Sequence, residues 1–170
     1  MQKGLQHILK SFLGLAIISL ASCFPKNNFP PEPEIDFRSF TPLGDSAQLA
    51  FNFTDGDGDI GLDPGEVNPP YDTSSFYHFN LYVTYYEKNN GVWAPGLDLD
   101  GDSVVFKYRV KNFDAVRREE GLEGYMTVFL APFYYNPISP NSDTIRYNIV
   151  LIDRALNESN VLTTPEFTQQ

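Results

Sequence analysis

Period-two alternation of apolar and polar residues, turn residues between the alternating stretches, and the absence of a long amphipathic helical stripe predict an all-β chain folded as an antiparallel sandwich. Four stretches carry the pattern. Ala47, Leu49, Phe51 and Phe53 face one way while Gln48, Ala50, Asn52 and Thr54 face the other. Phe79, Leu81, Val83 and Tyr85 repeat the pattern, as do Val104, Phe106, Tyr108 and Val110, and Ile145, Tyr147, Ile149 and Leu151. Each is a half-buried strand, apolar inward and mostly polar outward.

Further strands are expected over 35–41, 125–131 and 161–167. A short one over 92–94 follows the hairpin signal Asn89-Asn90-Gly91. Residues 114–123 have room for one or two helical turns. About seven short strands separated by turn signals fit a sandwich of immunoglobulin or fibronectin III type, with a jelly roll or a small barrel as alternatives. The domain is expected over 35–170.

The N-terminus is organised differently. Lys3 and Lys10 give a basic start, Phe12 to Leu20 an apolar run, and Ala21-Ser22 the small residues before Cys23, the only cysteine in the chain. This is the pattern of a lipoprotein signal peptide over 1–22, cut before Cys23, whose sulfur receives a diacylglycerol and whose amine an N-acyl chain. The run is shorter than the roughly 20 apolar residues that span a bilayer. Two or more acyl chains anchor stably. Residues 23–34, rich in proline, read as an extended polar tether between the lipidated Cys23 and the domain.

Charge and composition narrow the function. The formal net charge is −10, and cleavage after Ser22 removes Lys3 and Lys10, leaving the mature chain two charges more negative. Nucleic acid and anionic lipid surfaces repel such a chain, whereas cations are attracted. With Cys23 lipidated, no thiol remains for a disulfide or for nucleophilic chemistry. Fourteen Phe, ten Tyr, thirteen Pro and twelve Gly suit a turn-rich β domain with one core.

The candidate ion site is the loop after the 47–54 strand, Asp55-Gly56-Asp57-Gly58-Asp59-Ile60-Gly61-Leu62-Asp63-Pro64-Gly65-Glu66. Alternating carboxylates and glycines suit calcium, which takes six to eight hard oxygens, while glycine lets the backbone wrap closely. Asp55, Asp57, Asp59, Asp63 and Glu66 fall at the first, third, fifth, ninth and twelfth positions of an EF-hand loop. Ile60 occupies the place of the required glycine, and Pro64 and the preceding strand preclude flanking helices, so the loop is not an EF-hand. A metal-free turn is the alternative, since Asp and Gly are ordinary turn formers; against it stands the mutual repulsion of three carboxylates in five residues. Ile60 and Leu62 are expected to anchor the loop in the core. Asp98, Asp100 and Asp102 form a second acidic run that lacks the alternating glycines.

Other chemistry has little support. His78 is the one histidine of the mature chain, too few for a usual zinc site, and no Gly-x-Ser-x-Gly elbow accompanies it. Tyr82, Tyr86 and Trp93 are candidates for an exposed face that stacks on sugar rings, and Phe133-Tyr134-Tyr135 forms a second aromatic group. Strand-surface tyrosine is the plainer reading of these residues.

Two segments, Phe53–Leu62 and Asp153–Val161 followed by Thr163-Thr164-Pro165-Glu166, together resemble uncharacterised Bacteroidota lipoproteins with an immunoglobulin- or fibronectin III-like domain. The second segment is also similar to the last hairpin of bacterial immunoglobulin-like domains, which carry Asp-Arg-Ala-Gly-Asn-x-Ser; here Leu156 stands in the glycine's place. The resemblance implies a fold and a location, not a reaction. It implies that the acidic loop and the last hairpin share one end of the sandwich. Asp153 would then either complete the ion site with Asp55, Asp57 and Asp59 or cap the loop with Arg154 as counter-charge. Surface-exported lipoproteins of that phylum carry acids soon after the cysteine. Here the first is Glu32, which implies an outer-membrane lipoprotein facing the periplasm, with the cell surface as alternative. Asp45-Ser46-Ala47, Asp102-Ser103-Val104 and Asp143-Thr144-Ile145 resemble O-glycosylation acceptors of the same phylum, although each also reads as a turn residue followed by β-formers.

The expected function is a non-enzymatic, lipid-anchored envelope module, structural or protein-binding, with a calcium-shaped loop. The alternative is a carbohydrate-binding lipoprotein using Tyr82, Tyr86 and Trp93; a hydrolase ranks third. Expected partners are the membrane through the lipid and an envelope protein or glycan, not nucleic acid.

Overall fold

The computed structural model describes residues 29–112 and 121–169. The signal peptide, Cys23 with its lipidation, the tether over 24–28 and most of the helical turn expected over 114–123 lie outside the described residues.

Nine strands run in chain order among the described residues: β1 (Glu34–Leu43), β2 (Ser46–Asp55), β3 (Leu81–Asn89), β4 (Val92–Pro95), β5 (Val105–Tyr108), β6 (Leu122–Leu130), β7 (Thr144–Leu151), β8 (Leu162–Thr163) and β9 (Phe167–Thr168). One sheet has the order β1-β2-β6. The other has the order β4-β3-β7-β8, with β5 also on β3 and β9 also on β7. All strand pairs are antiparallel. The protein is an all-β molecule of antiparallel sheets packed face to face, as the alternation predicts.

The inward phase of each long strand follows the sequence pattern. Leu49, Phe51 and Phe53 of β2, Leu81, Val83 and Tyr85 of β3, Met126, Val128 and Leu130 of β6, and Ile145, Tyr147, Ile149 and Leu151 of β7 form one buried cluster. Each large side chain so buried contributes about 1.5–3 kcal/mol. In β1 the alternation is interrupted. A register shift against β2 between Phe37 and Ser39 changes the phase, so that Phe40 leans inward and stacks on Phe167 with ring centroids 4.1 Å apart.

Local chemistry sets the edges. Asn90 (φ 50°) and Gly91 (φ 83°) both take left-handed conformations, the requirement of the tight hairpin joining β3 to β4. The strand expected over 161–167 is two short pieces instead. Thr164 Oγ1 accepts from Tyr147 N at 3.0 Å, taking the place of a backbone partner, and Pro165 has no N–H to offer the ladder. The strand expected from Phe79 begins at Leu81 because Phe76–His78 forms a 3-10 turn capped by the Ser75 hydroxyl.

The tether boundary also differs from expectation. The chain is already laid on the fold at Pro30, whose carbonyl accepts from Gly56 N at 2.7 Å, and Pro33 is buried. The extended, proline-rich character of this stretch suits a backbone that lies along a surface instead of pairing in a sheet.

Candidate metal centre

β2 ends at Asp55 and β7 at Leu151, and the loops that follow meet at one end of the sandwich. There Asp55, Asp57, Asp59 and Asp153 each bring a carboxylate oxygen within 4.8 Å of the others. The loop reaches this shape through its small residues and its anchors. Gly58 (φ 72°) and Gly61 (φ 98°) adopt left-handed turns. Gly61 lies so close to the chain at Lys111 that a Cβ would come 2.4 Å from its carbonyl oxygen. Ile60 and Leu62, fully or almost fully buried, fasten the loop to the core. Leu62 N donates to Val110 O at 2.9 Å.

Two of the four carboxylates are incompletely satisfied. Asp55 has no exposed surface; its Oδ2 accepts from Ile60 N at 3.2 Å, while Oδ1 is buried with no hydrogen-bond partner. Asp59 Oδ1 is likewise buried and unpartnered. Asp153, 1 % exposed, is held by Asn157, whose backbone N–H and carboxamide donate to its two oxygens at 2.7 and 2.8 Å.

The electrostatics follow from this packing. Burial, then the charges of Asp57 and Asp59, push the Asp55 carboxyl up to about 7. Burial, then Asp153 and Asp57, push Asp59 up to about 6. Burial also raises Asp153, against the opposing bonds from Asn157. An isolated buried carboxylate oxygen costs several kcal/mol unless something compensates it. A hard divalent cation is the compensation that suits four convergent carboxylates. The residues present fit such an ion: all donors are oxygens, no nitrogen or sulfur competes, and the orphaned Asp55 Oδ1 lacks any protein donor.

The structure corrects one ligand assignment. Asp63 does not join the group. Its Oδ1 accepts from Asn112 Nδ2 at 3.0 Å and its Oδ2 lies 3.5 Å from an Arg154 guanidinium nitrogen. Glu66 is ion-paired to Arg154 as well, and its Oε2 accepts from Asp63 N at 2.6 Å. The EF-hand-like spacing is therefore divided. The first three positions converge on Asp153, and the ninth and twelfth turn toward Arg154, because Pro64 and Gly65 fold the loop back before Glu66. Arg154 braces the outer half of the loop while its neighbour Asp153 completes the cluster. The Arg154 carbonyl also accepts from the Tyr71 hydroxyl, a contact that no spacing in the sequence signals. Leu156 takes φ 71°, the left-handed conformation that favours glycine.

The second acidic run is not a comparable site. Asp98 Oδ1 accepts from Asp100 N and Asp102 N at 3.0 and 2.9 Å, which makes it a side-chain-capped exposed turn. His78 Nδ1 lies 3.1 Å from the Tyr71 carbonyl, a structural contact.

The aromatic residues do not form one bare platform. Tyr82 is stacked on Phe76, centroids 4.7 Å apart, and its hydroxyl donates to the Phe76 carbonyl. Tyr86 and Trp93 lie further along the same sheet and share Arg146, whose guanidinium sits 4.3 Å from the Trp93 centroid and 5.7 Å from that of Tyr86. Lys88 lies 5.4 Å from the Trp93 ring as well. A sugar stacking on a ring face that one of these cations occupies would have to displace it. Tyr134, from the second aromatic group, is a core residue.

No protein-family model matches this chain, and no curated protein matches it.

Proposed function

We propose that this chain is a lipid-anchored, non-enzymatic module of the bacterial envelope, a sandwich of immunoglobulin-like type whose acidic end binds calcium and thereby fixes two loops for contact with an envelope partner. The observation that carries the ion reading is the convergence of one oxygen from each of four carboxylates within 4.8 Å, in a cluster where the fully buried Asp55 keeps an Oδ1 without a hydrogen-bond partner. Calcium is favoured over magnesium because the loop is irregular and the donors are anionic oxygens, whereas magnesium demands near-octahedral geometry and keeps its water. The immunoglobulin-like reading draws support from the partition of strands, with β1, β2 and β6 on one sheet and β3 and β7 central to the other. Lipid anchoring rests on Leu20-Ala21-Ser22-Cys23, and the periplasmic face of the outer membrane on the late position of the first acid, Glu32.

Calorimetric titration of the metal-free protein tests the ion. Calcium is expected to bind with one-to-one stoichiometry and at least tenfold more tightly than magnesium. An unchanged melting temperature on adding calcium or chelator would overturn the reading. Anchoring is tested separately by metabolic labelling with an alkyne fatty acid, which Cys23→Ser should abolish.

A further inference from the structure

The acidic loop touches a second part of the molecule. Gly56, between Asp55 and Asp57, donates its N–H to the Pro30 carbonyl at 2.7 Å. The approach is so close that a Cβ on Gly56 would lie 2.2 Å from the Phe29 oxygen and 2.5 Å from the Pro30 oxygen. Real side chains do not tolerate such distances, so only glycine permits this docking. The loop after β7 also holds the incoming chain. Asn160 Oδ1 accepts from Ile35 N at 2.8 Å, and its Nδ2 donates to Ile35 O at 2.9 Å. The two loops that supply the four carboxylates thus also grip the N-terminal segment at Pro30 and at Ile35.

We propose that the four-aspartate site is a clasp: calcium in it locks residues 29–33, the stretch before β1, onto the sandwich, and its loss frees them, so that the ion sets how the folded domain is held relative to whatever lies before residue 29. The proposal rests on the calcium reading above. Its physical basis is the position of Gly56. The loop shape that aims its amide at Pro30 is the one that brings the flanking Asp55 and Asp57 together, and without a cation their carboxylates repel one another. The orphaned Asp55 Oδ1 is the independent mark of an ion inside the loop. Coupling of this kind is reciprocal: if calcium tightens the docked segment, docking tightens calcium by the same factor.

The test uses the full mature chain with nitroxides on Pro31→Cys and Glu158→Cys, both exposed, and measures the distance between them by pulsed electron resonance. Calcium should give one narrow short distance and chelator a broad, longer distribution. In parallel, Gly56→Ala, which displaces the segment but leaves every carboxylate, should weaken calcium binding about tenfold. If calcium binds, yet the distance distribution is the same in chelator and Gly56→Ala binds as tightly as the parent, the clasp is wrong and the ion site stands. If calcium does not bind at all, both are wrong. The distance measurement needs no variant at Gly56, so poor folding of that variant leaves the proposal open to refutation.

Discussion

Replacing Asp55 with Asn should change the sign of its effect on stability with the presence of calcium. In the metal-free protein the Asp55 carboxyl sits at about 7, against an ordinary value of 3.8. A carboxyl raised on folding binds its proton more tightly in the native state. The native state therefore holds more protons than the unfolded chain between those values, and stability falls as pH rises from about 4 to about 8. At about 1.4 kcal/mol per pKa unit, ionising Asp55 in place costs the folded protein up to about 4 kcal/mol, part of it repulsion shared with Asp57 and Asp59. Neutralising that one side chain should thus recover about 2 kcal/mol, or roughly 4–8 °C in melting temperature. Calcium reverses the order, since a ligand at a hundred times its dissociation constant stabilises the parent by about 2.7 kcal/mol and the variant much less. Differential scanning calorimetry in chelator and in excess calcium, at about pH 8 and pH 5.5, reads all four states. The reasoning is refuted if Asp55→Asn melts below the parent in chelator, or if both proteins gain equally from calcium.

The other predictions concern neighbouring parts. Leu156→Gly should raise stability by about 0.5–1 kcal/mol in urea unfolding, because relief of a left-handed leucine outweighs the entropy of the added glycine. Arg154→Ala should cost about 1 kcal/mol, less at high salt, because Asp63 and Glu66 lose a partly exposed partner. Calcium affinity in calorimetry should not fall in that variant, since the guanidinium faces Asp63 and Glu66. Tyr147→Phe should cost about 1–2 kcal/mol by leaving the Tyr134 carbonyl without its buried donor. On a glycan array, any binding that survives Trp93→Ala and Tyr86→Ala together would exclude these two rings as the sugar contact.

The long strands were legible because a half-buried strand needs one apolar face, and period two has only two phases. Phe51 and Gln48 declare theirs without reference to the rest of the chain. The bulge at Arg38 was not legible from residue types, since a phase change in Phe37-Arg38-Ser39-Phe40 resembles a lapse in the pattern. The split of the C-terminal strand turns on the Thr164 hydroxyl replacing a ladder carbonyl, a choice made by tertiary contact. In the acidic loop, spacing grouped Asp63 with Asp55, Asp57 and Asp59; the three converge and Asp63 turns toward Arg154, because the spacing rule assumes one continuous wrap and the chain reverses at Pro64. Asp153 was found through the resemblance, not through any local signal. The grip of Gly56 on Pro30 had only a faint mark, a glycine among glycines, whose need becomes visible once the backbone opposite is known.

The edges of the second sheet have a consequence for self-association. β3 is lined on one side by β4 and then β5, and β7 on the other by β8 and then β9, none longer than four residues. An exposed strand recruits another chain by offering an uninterrupted row of unpaired amides and carbonyls. Edges broken every two to four residues offer no such row, so molecules crowded side by side have no template there for joining sheet to sheet. The first sheet has two longer edges: β1, with ten residues, is interrupted by the register shift at Arg38, which leaves the nine residues of β6 as the longest unbroken edge among the described strands, and Glu123 places a charge near its start.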